Sequence, residues 1–318
     1  LLQADIFTTA SLAIDVRNAV STASIKRLIS FNIVLPRTVK YTQKPSTGWI
    51  IGTVGIKFTN LYSCNVTIGR VTGFETNVLM YADGTGNVYN EYTMGWCENG
   101  KVNLLLDASA TGWTNENNFY GGRYSHESGE GTNVAGTRHI KIKTCKSGIN
   151  NNIFYKPSIE GDVAEYHVEC GGSYNNFLSC RWEAYPPKVL YVTDDNLSSA
   201  ANLATYNLIS GGYYVDKIVT TNVGTKSTFS NRLIGISREI NNISSSTGGH
   251  RFKNSSSNGN AVLTGFDAAA DLANEDVSKY TWSLSSAGLS GKLATDAYPR
   301  ITIDFINSKF LIGNGIVA

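Results

Sequence analysis

The chain has 318 residues with 27 basic and 25 acidic side chains, and charged residues make up only 16%. This near balance argues against a general nucleic-acid binder, because neutralising phosphates takes a broadly basic surface. With 31 Gly, 17 Tyr and 12 Phe among abundant Asn and Ser, and few runs of strong helix formers, the composition predicts a β-rich chain with many tight turns.

Residues 1–48 read as an N-terminal cap with the first strands. A short helix is expected around Leu12 to Val20, and Ile25 to Leu35 gives one or two strands that end at Pro36. Residues 49–240 form the body. Trp49 to Thr59 reads as a strand pair, Leu61 to Phe74 as short apolar runs cut by Gly, and Asp83-Gly-Thr-Gly86 as a turn. That turn lacks the Lys-Ser/Thr and following helix of a phosphate loop, so nucleotide binding is rejected. Further strands are expected at Val102–Leu106, His139–Lys143, Glu165–Glu169 and Val189–Val192. Residues 241–318 read as a loop-rich capping or oligomerisation region, with one short helix from Asp267 to Asn274 and terminal strands beginning at Arg300 and Lys309.

An irregular repeat runs through the body. Short apolar segments follow Asn65, Asn90, Asn118, Asn152, Asn176, Asn207 and Asn231, at steps of 25, 28, 34, 24, 31 and 24 residues. Such a period fits one turn of a solenoid with loops of varying length, since a single rung cannot bury its own apolar face. The expected fold is therefore an all-β, single-stranded parallel solenoid, with these asparagines bonding from rung to rung at a turn. The five cysteines (Cys64, Cys97, Cys145, Cys170, Cys180) include no Cys-x-x-Cys pair, so buried free thiols are expected. No membrane-spanning run or secretory signal is visible, and no membrane insertion is expected.

Arg70-Val-Thr-Gly-Phe-Glu75, Asn115-Glu-Asn-Asn-Phe-Tyr-Gly-Gly122 and Tyr174-Asn-Asn-Phe-Leu-Ser-Cys-Arg-Trp-Glu183 resemble coils of the pectate-lyase-like right-handed parallel β-helix proteins. Within that group the chain looks most like the receptor-binding body of a bacteriophage tailspike or tail fibre, over about residues 20–240. The resemblance implies a right-handed β-helix, a homotrimer and a place in the virion tail beside other tail proteins. It also implies recognition, often with cleavage, of a bacterial surface polysaccharide. The chain departs from a full tailspike in lacking an evident attachment domain and an intertwined tail, which reads as a truncated or processed chain.

Aligning the coils on their asparagines puts Arg70, Arg123 and Arg181 five residues after Asn65, Asn118 and Asn176. Glu160 follows Asn152 by eight residues and Glu183 follows Asn176 by seven. Rungs lie about 5 Å apart, so Glu160 and Glu183 are candidates for a catalytic carboxylate pair in glycoside hydrolysis, one with a raised pKa. Arg123 and Arg181 are candidates for orienting an anionic sugar. Tyr124, Tyr155, Trp182 and Tyr185 are candidates for stacking on sugar rings. Lyase chemistry would instead draw on Arg123, Tyr124 and His126. His126 beside Glu127 and Glu130 supplies too few ligands for a metal, and no cofactor is expected. Hydrolase, lyase and pure adhesin or structural fibre all remain open at this point, as does a free polysaccharide-degrading enzyme outside a virus.

Overall fold

The computed structural model describes residues 5–17, 28–45, 48–126, 134–145, 148–193, 204–214, 218–223 and 231–234, and the strand segments 251–254, 261–264, 280–285, 288–293, 301–304 and 309–312. Every regular element among them is a β-strand. The chain forms two compact units, Leu1–Ile236 and Ser237–Ala318.

In the first unit, strands from successive circuits pair in parallel and build three stacks. One runs through Leu12–Arg17, Val54–Thr59, Thr76–Ala82, Val102–Ala108, Val134–Ile142, Ala164–Cys170, Lys188–Val192 and Val219–Val223. The largest contains Thr38–Tyr41, Arg70–Thr72, Glu91–Glu98, Asn118–Ser125, Asn176–Glu183 and Leu208–Tyr214 on its main path. A short third stack holds Leu28–Ile29, Leu61–Tyr62, Gly86–Val88 and Trp113–Asn115. The solenoid reading thus holds at the level of an all-parallel coil. The helix expected at Leu12–Val20 is corrected: Leu12–Arg17 is a strand in which Leu12, Ile14 and Val16 pair with Val54, Ile56 and Phe58. Its apolar residues alternate, and tertiary pairing satisfies that period of two. Of the Trp49–Thr59 pair only Val54–Thr59 is a strand; the Trp49 indole N–H instead donates to the Asn99 carbonyl at 2.8 Å.

The interior is filled by in-register columns. Tyr92, Phe119, Phe154 and Phe177 stack with centroid spacings of 5.0, 4.8 and 4.6 Å and nearly parallel rings. Each such pair contributes about 0.5–1.5 kcal/mol beyond area burial. A ladder of buried amides runs beside it. Asn90 accepts from the Cys64 N–H, and Asn117, Asn152, Asn175, Asn207 and Asn231 each accept from the backbone N–H of the rung before, at 2.8–3.2 Å. Asn65, Asn118 and Asn176 are not members, contrary to expectation. Cys64 and the neighbours Asn117 and Asn175 hold those places, so the true steps are 26, 27, 35, 23, 32 and 24 residues.

A second polar column lies under the neighbouring stack. The Asn77 amide donates to Asn103 Oδ1 at 2.7 Å, and the Asn103 amide donates to His139 Nδ1 at 3.0 Å. The His139 ring lies 4.8 Å from His126 and 5.5 Å from His167.

All five cysteines are buried and none forms a disulfide. Burial pushes the Cys97 and Cys170 thiols up to about 12. Native protein should therefore resist iodoacetamide at all five positions, and denaturant should release all five. Rapid labelling of any of them in native protein would contradict the buried columns.

The second unit differs from the irregular region expected at 241–318. Arg251–Asn254, Ala261–Thr264, Tyr280–Ser285, Gly288–Leu293, Ile301–Asp304 and Lys309–Ile312 form a consecutive antiparallel meander of six strands. The last two match the expected terminal strands. The helix expected at Asp267–Asn274 lies outside the described residues.

Candidate functional site

The largest stack is bent. Strand Glu91–Glu98 pairs with Asn65–Thr67 through its first half and with Arg70–Thr72 through its second. Crowding at the bend selects glycine. A Cβ on Gly95 would sit 2.3 Å from the Gly69 carbonyl oxygen, and one on Gly212 would sit 2.0 Å from that of Cys180. Gly212 also has φ +108°, a conformation glycine adopts without steric cost.

Past the bend, the position six residues after each ladder residue faces outward. Successive rungs place Arg70, Trp96, Arg123, Ser158, Arg181 and Tyr213 there, as the pairings Trp96–Arg123, Arg123–Ser158, Ser158–Arg181 and Arg181–Tyr213 show. Trp96 is 50% exposed and Tyr213 57%. The Trp96 ring lies between two guanidinium groups, with Arg123 Cζ 5.1 Å and Arg70 Cζ 5.9 Å from its centroid. These are cation–π distances.

Two residues further on, Glu98, Ser125, Glu160 and Glu183 form the adjacent column, with Glu98 and Ser125 buried and Glu160 and Glu183 partly exposed. Glu160 and Glu183 are direct register partners. The one-residue offset in the sequence alignment vanishes because the ladder residue of that rung is Asn175, not Asn176. Each acid is held by an arginine. Arg70 bridges Glu98, Arg181 bridges Glu183, and Arg123 Nε donates to Glu160 Oε2 at 2.8 Å. Arg181 also lies 3.9 Å from Glu160, and the Ser158 hydroxyl donates to it at 2.6 Å. Partial burial pushes the Glu160 carboxyl up, but Ser158 and Arg123 outweigh it and hold it below the usual carboxylate range. The expectation that one of these acids has a raised pKa therefore fails at Glu160.

The stacking and binding candidates divide. Arg123, Arg181 and Tyr155 lie on the outer face. Tyr155 stacks on Tyr120 at 5.2 Å with an interplanar angle of 8°. Tyr185 is 72% exposed. Tyr124 and Trp182 do not lie there. Both are fully buried, because each directly follows an outward arginine and strand residues alternate. Burial also pushes the Tyr124 phenol well above its ordinary range, which removes it as a proton carrier. His126 turns into the buried histidine column, with Nε2 2.8 Å from the Gly100 carbonyl oxygen, so it offers no surface to a glycan. Glu127 and Glu130 lie outside the described residues. Among the described residues no group of three or more His, Cys, Asp or Glu side chains gathers to hold a metal.

The sequence alignment missed Trp96, Tyr213 and Tyr120. Counting six from Asn90 and Asn207 reaches Trp96 and Tyr213, so the signal existed once the ladder was placed correctly.

A second exposed line runs along the corner before the ladder. Tyr89, Glu116, Asn151, Tyr174 and Tyr206 each precede a ladder asparagine, and all five are exposed with φ between 55° and 60°. This left-handed conformation suits Gly or Asn and costs a bulky side chain about 1–2 kcal/mol. Tyr174 and Tyr206 stack at 5.0 Å with an angle of 11°, which returns about 1 kcal/mol for the pair. The stack therefore leaves part of the backbone cost uncompensated. No protein-family description, curated protein or solved structure matches the chain.

Proposed function

We propose that this chain is the body of a bacteriophage tailspike or tail fibre, wound as a right-handed parallel β-helix, that recognises a bacterial surface polysaccharide without cleaving it at Glu160 and Glu183. The observation that carries this reading is the outward column of Arg70, Trp96, Arg123, Ser158, Arg181 and Tyr213, flanked by carboxylates that the arginines already neutralise. The exposed edge of the Trp96 indole and the Tyr213 phenol offer apolar contact to sugar rings, while fixed guanidinium and carboxylate groups offer donors and acceptors to hydroxyls. A carboxyl kept ionised accepts hydrogen bonds well but cannot protonate a leaving oxygen. The homotrimer, the neighbouring tail proteins and the virion-tail location belong to the same proposal. They rest on the resemblance of the coil motifs.

A retaining hydrolase is the second reading, and the register pairing of Glu160 with Glu183 favours it. Rungs lie about 5 Å apart, the separation such a carboxylate pair uses. One assay separates the two. Purified bacterial surface polysaccharides are offered to the protein while binding, new reducing ends and unsaturated uronates are followed together. The expected result is binding without new ends, weakened about tenfold by Trp96→Ala, equivalent to about 1.4 kcal/mol. New reducing ends that disappear in Glu160→Gln would establish the hydrolase instead. Unsaturated products would point to a lyase acting elsewhere, since Tyr124 and His126 are buried.

A further inference from the structure

We infer that the exposed corner line of Tyr89, Glu116, Asn151, Tyr174 and Tyr206 is a second glycan-binding line, suited to an uncharged hexopyranose chain. The inference rests on the reading that the protein binds polysaccharide, but it uses a different set of residues from the Arg–Trp column. Its first support is the conflict between backbone and side chain. Every rung described at this corner has a left-handed residue there, and Asn151 shows the choice that satisfies the backbone. Tyrosine occupies the position at Tyr89, Tyr174 and Tyr206, although asparagine adopts it with less strain. Stacking offsets only part of that strain. Strain kept at exposed residues points to a role outside folding.

The second support is arrangement. The five positions lie on consecutive rungs, about 4.8 Å apart, so they form a strip of roughly 19 Å along the stack. A linear saccharide laid along it would meet phenol rings at both ends and a carboxylate and an amide between them. The Tyr174 and Tyr206 rings stack on one another and turn their edges and phenol O–H groups outward, and these with Glu116 and Asn151 suit the hydroxyls and C–H edges of pyranoses. The line contains no Lys or Arg, and Glu116 repels anions. An uncharged chain fits it better than a uronate.

The test uses the whole chain with maltoheptaose, cellohexaose and mannohexaose as probes, read by saturation-transfer NMR, with thermal unfolding in parallel. We expect at least one oligosaccharide to bind. Tyr174→Asn/Tyr206→Asn should weaken binding at least tenfold while leaving Tm unchanged or raised, because asparagine relieves the backbone. Glu116→Gln should weaken it about threefold at unchanged Tm. Binding that survives both corner variants but is lost in Trp96→Ala would overturn this line and leave the Arg–Trp face standing. Loss of binding in the corner variants would sustain this line and leave the Arg–Trp face to its own test with surface polysaccharides. No binding by any probe, or a lowered Tm in the double variant with binding intact in Glu116→Gln, would also overturn the inference.

Discussion

Replacing Asn152 with alanine should lower stability by about 3–5 kcal/mol, whereas the same change at Asn65 should cost under about 0.5 kcal/mol. Asn152 is fully buried. Its Oδ1 accepts from the Asn117 backbone N–H at 3.2 Å and from the Asn117 amide at 3.0 Å. Its own amide donates to the Thr114 carbonyl at 3.0 Å, the Asn150 carbonyl at 3.2 Å and Asn175 Oδ1 at 3.0 Å. Alanine would strand these groups on two neighbouring rungs, and each buried group left unpaired costs about 1–3 kcal/mol. The side chain of Asn65 is exposed and donates only to the equally exposed Asn32 at 3.0 Å. Thermal unfolding of both variants checks the contrast: a drop on the order of 10 °C for Asn152→Ala against little change for Asn65→Ala. Equal shifts would mean that the buried amides do not hold the coils together.

The same ladder explains what the sequence allowed and what it concealed. The repeat of asparagine before an apolar segment was enough to predict stacked parallel strands, because turn preference and rung length both point there. Placement within a rung was harder. Asn117-Asn118 and Asn175-Asn176 are doublets, and a period-two strand turns a one-residue error into the wrong face. The arginine column survived because Arg70, Arg123 and Arg181 share one offset from either member of the doublets. The candidates beside them did not. Arg123 with Tyr124, and Arg181 with Trp182, are adjacent in a strand and cannot point the same way, a constraint already present in the sequence. Pairing of Glu160 with arginine was not readable, since it depends on which rung supplies the cation. The strand at Leu12–Arg17 shows the remaining limit: its local pattern permits a helix until Val54–Thr59 provides a partner.

The buried histidines make the fold acid-sensitive well above the range in which most carboxylates protonate. His167 accepts the Lys188 backbone N–H at Nδ1, 2.9 Å away, and its Nε2 lies 3.0 Å from the Gly161 carbonyl oxygen. This pattern requires a neutral ring with the proton on Nε2, and protonating Nδ1 would break the bond to Lys188. Burial lowers its pKa to about 4. Burial, then the proximity of His126 and His139's other neighbour His167, likewise holds His139 well below the usual histidine range. An unfolded histidine titrates near about 6.5, so below that pH the unfolded chain binds protons that the folded chain refuses. Stability is therefore fully present above about pH 6.5 and falls as the pH drops toward 4, where the loss from His167 levels off. Over that window His167 alone accounts for about 3 kcal/mol, and His139 deepens the loss. Urea unfolding at pH 7.5 and pH 4.5 should show this as a lower midpoint in acid. The difference should shrink in His167→Gln, whose amide stays uncharged at both values. An unchanged midpoint in the native chain would mean that the two rings are not held neutral by burial, and the column would have to be solvated.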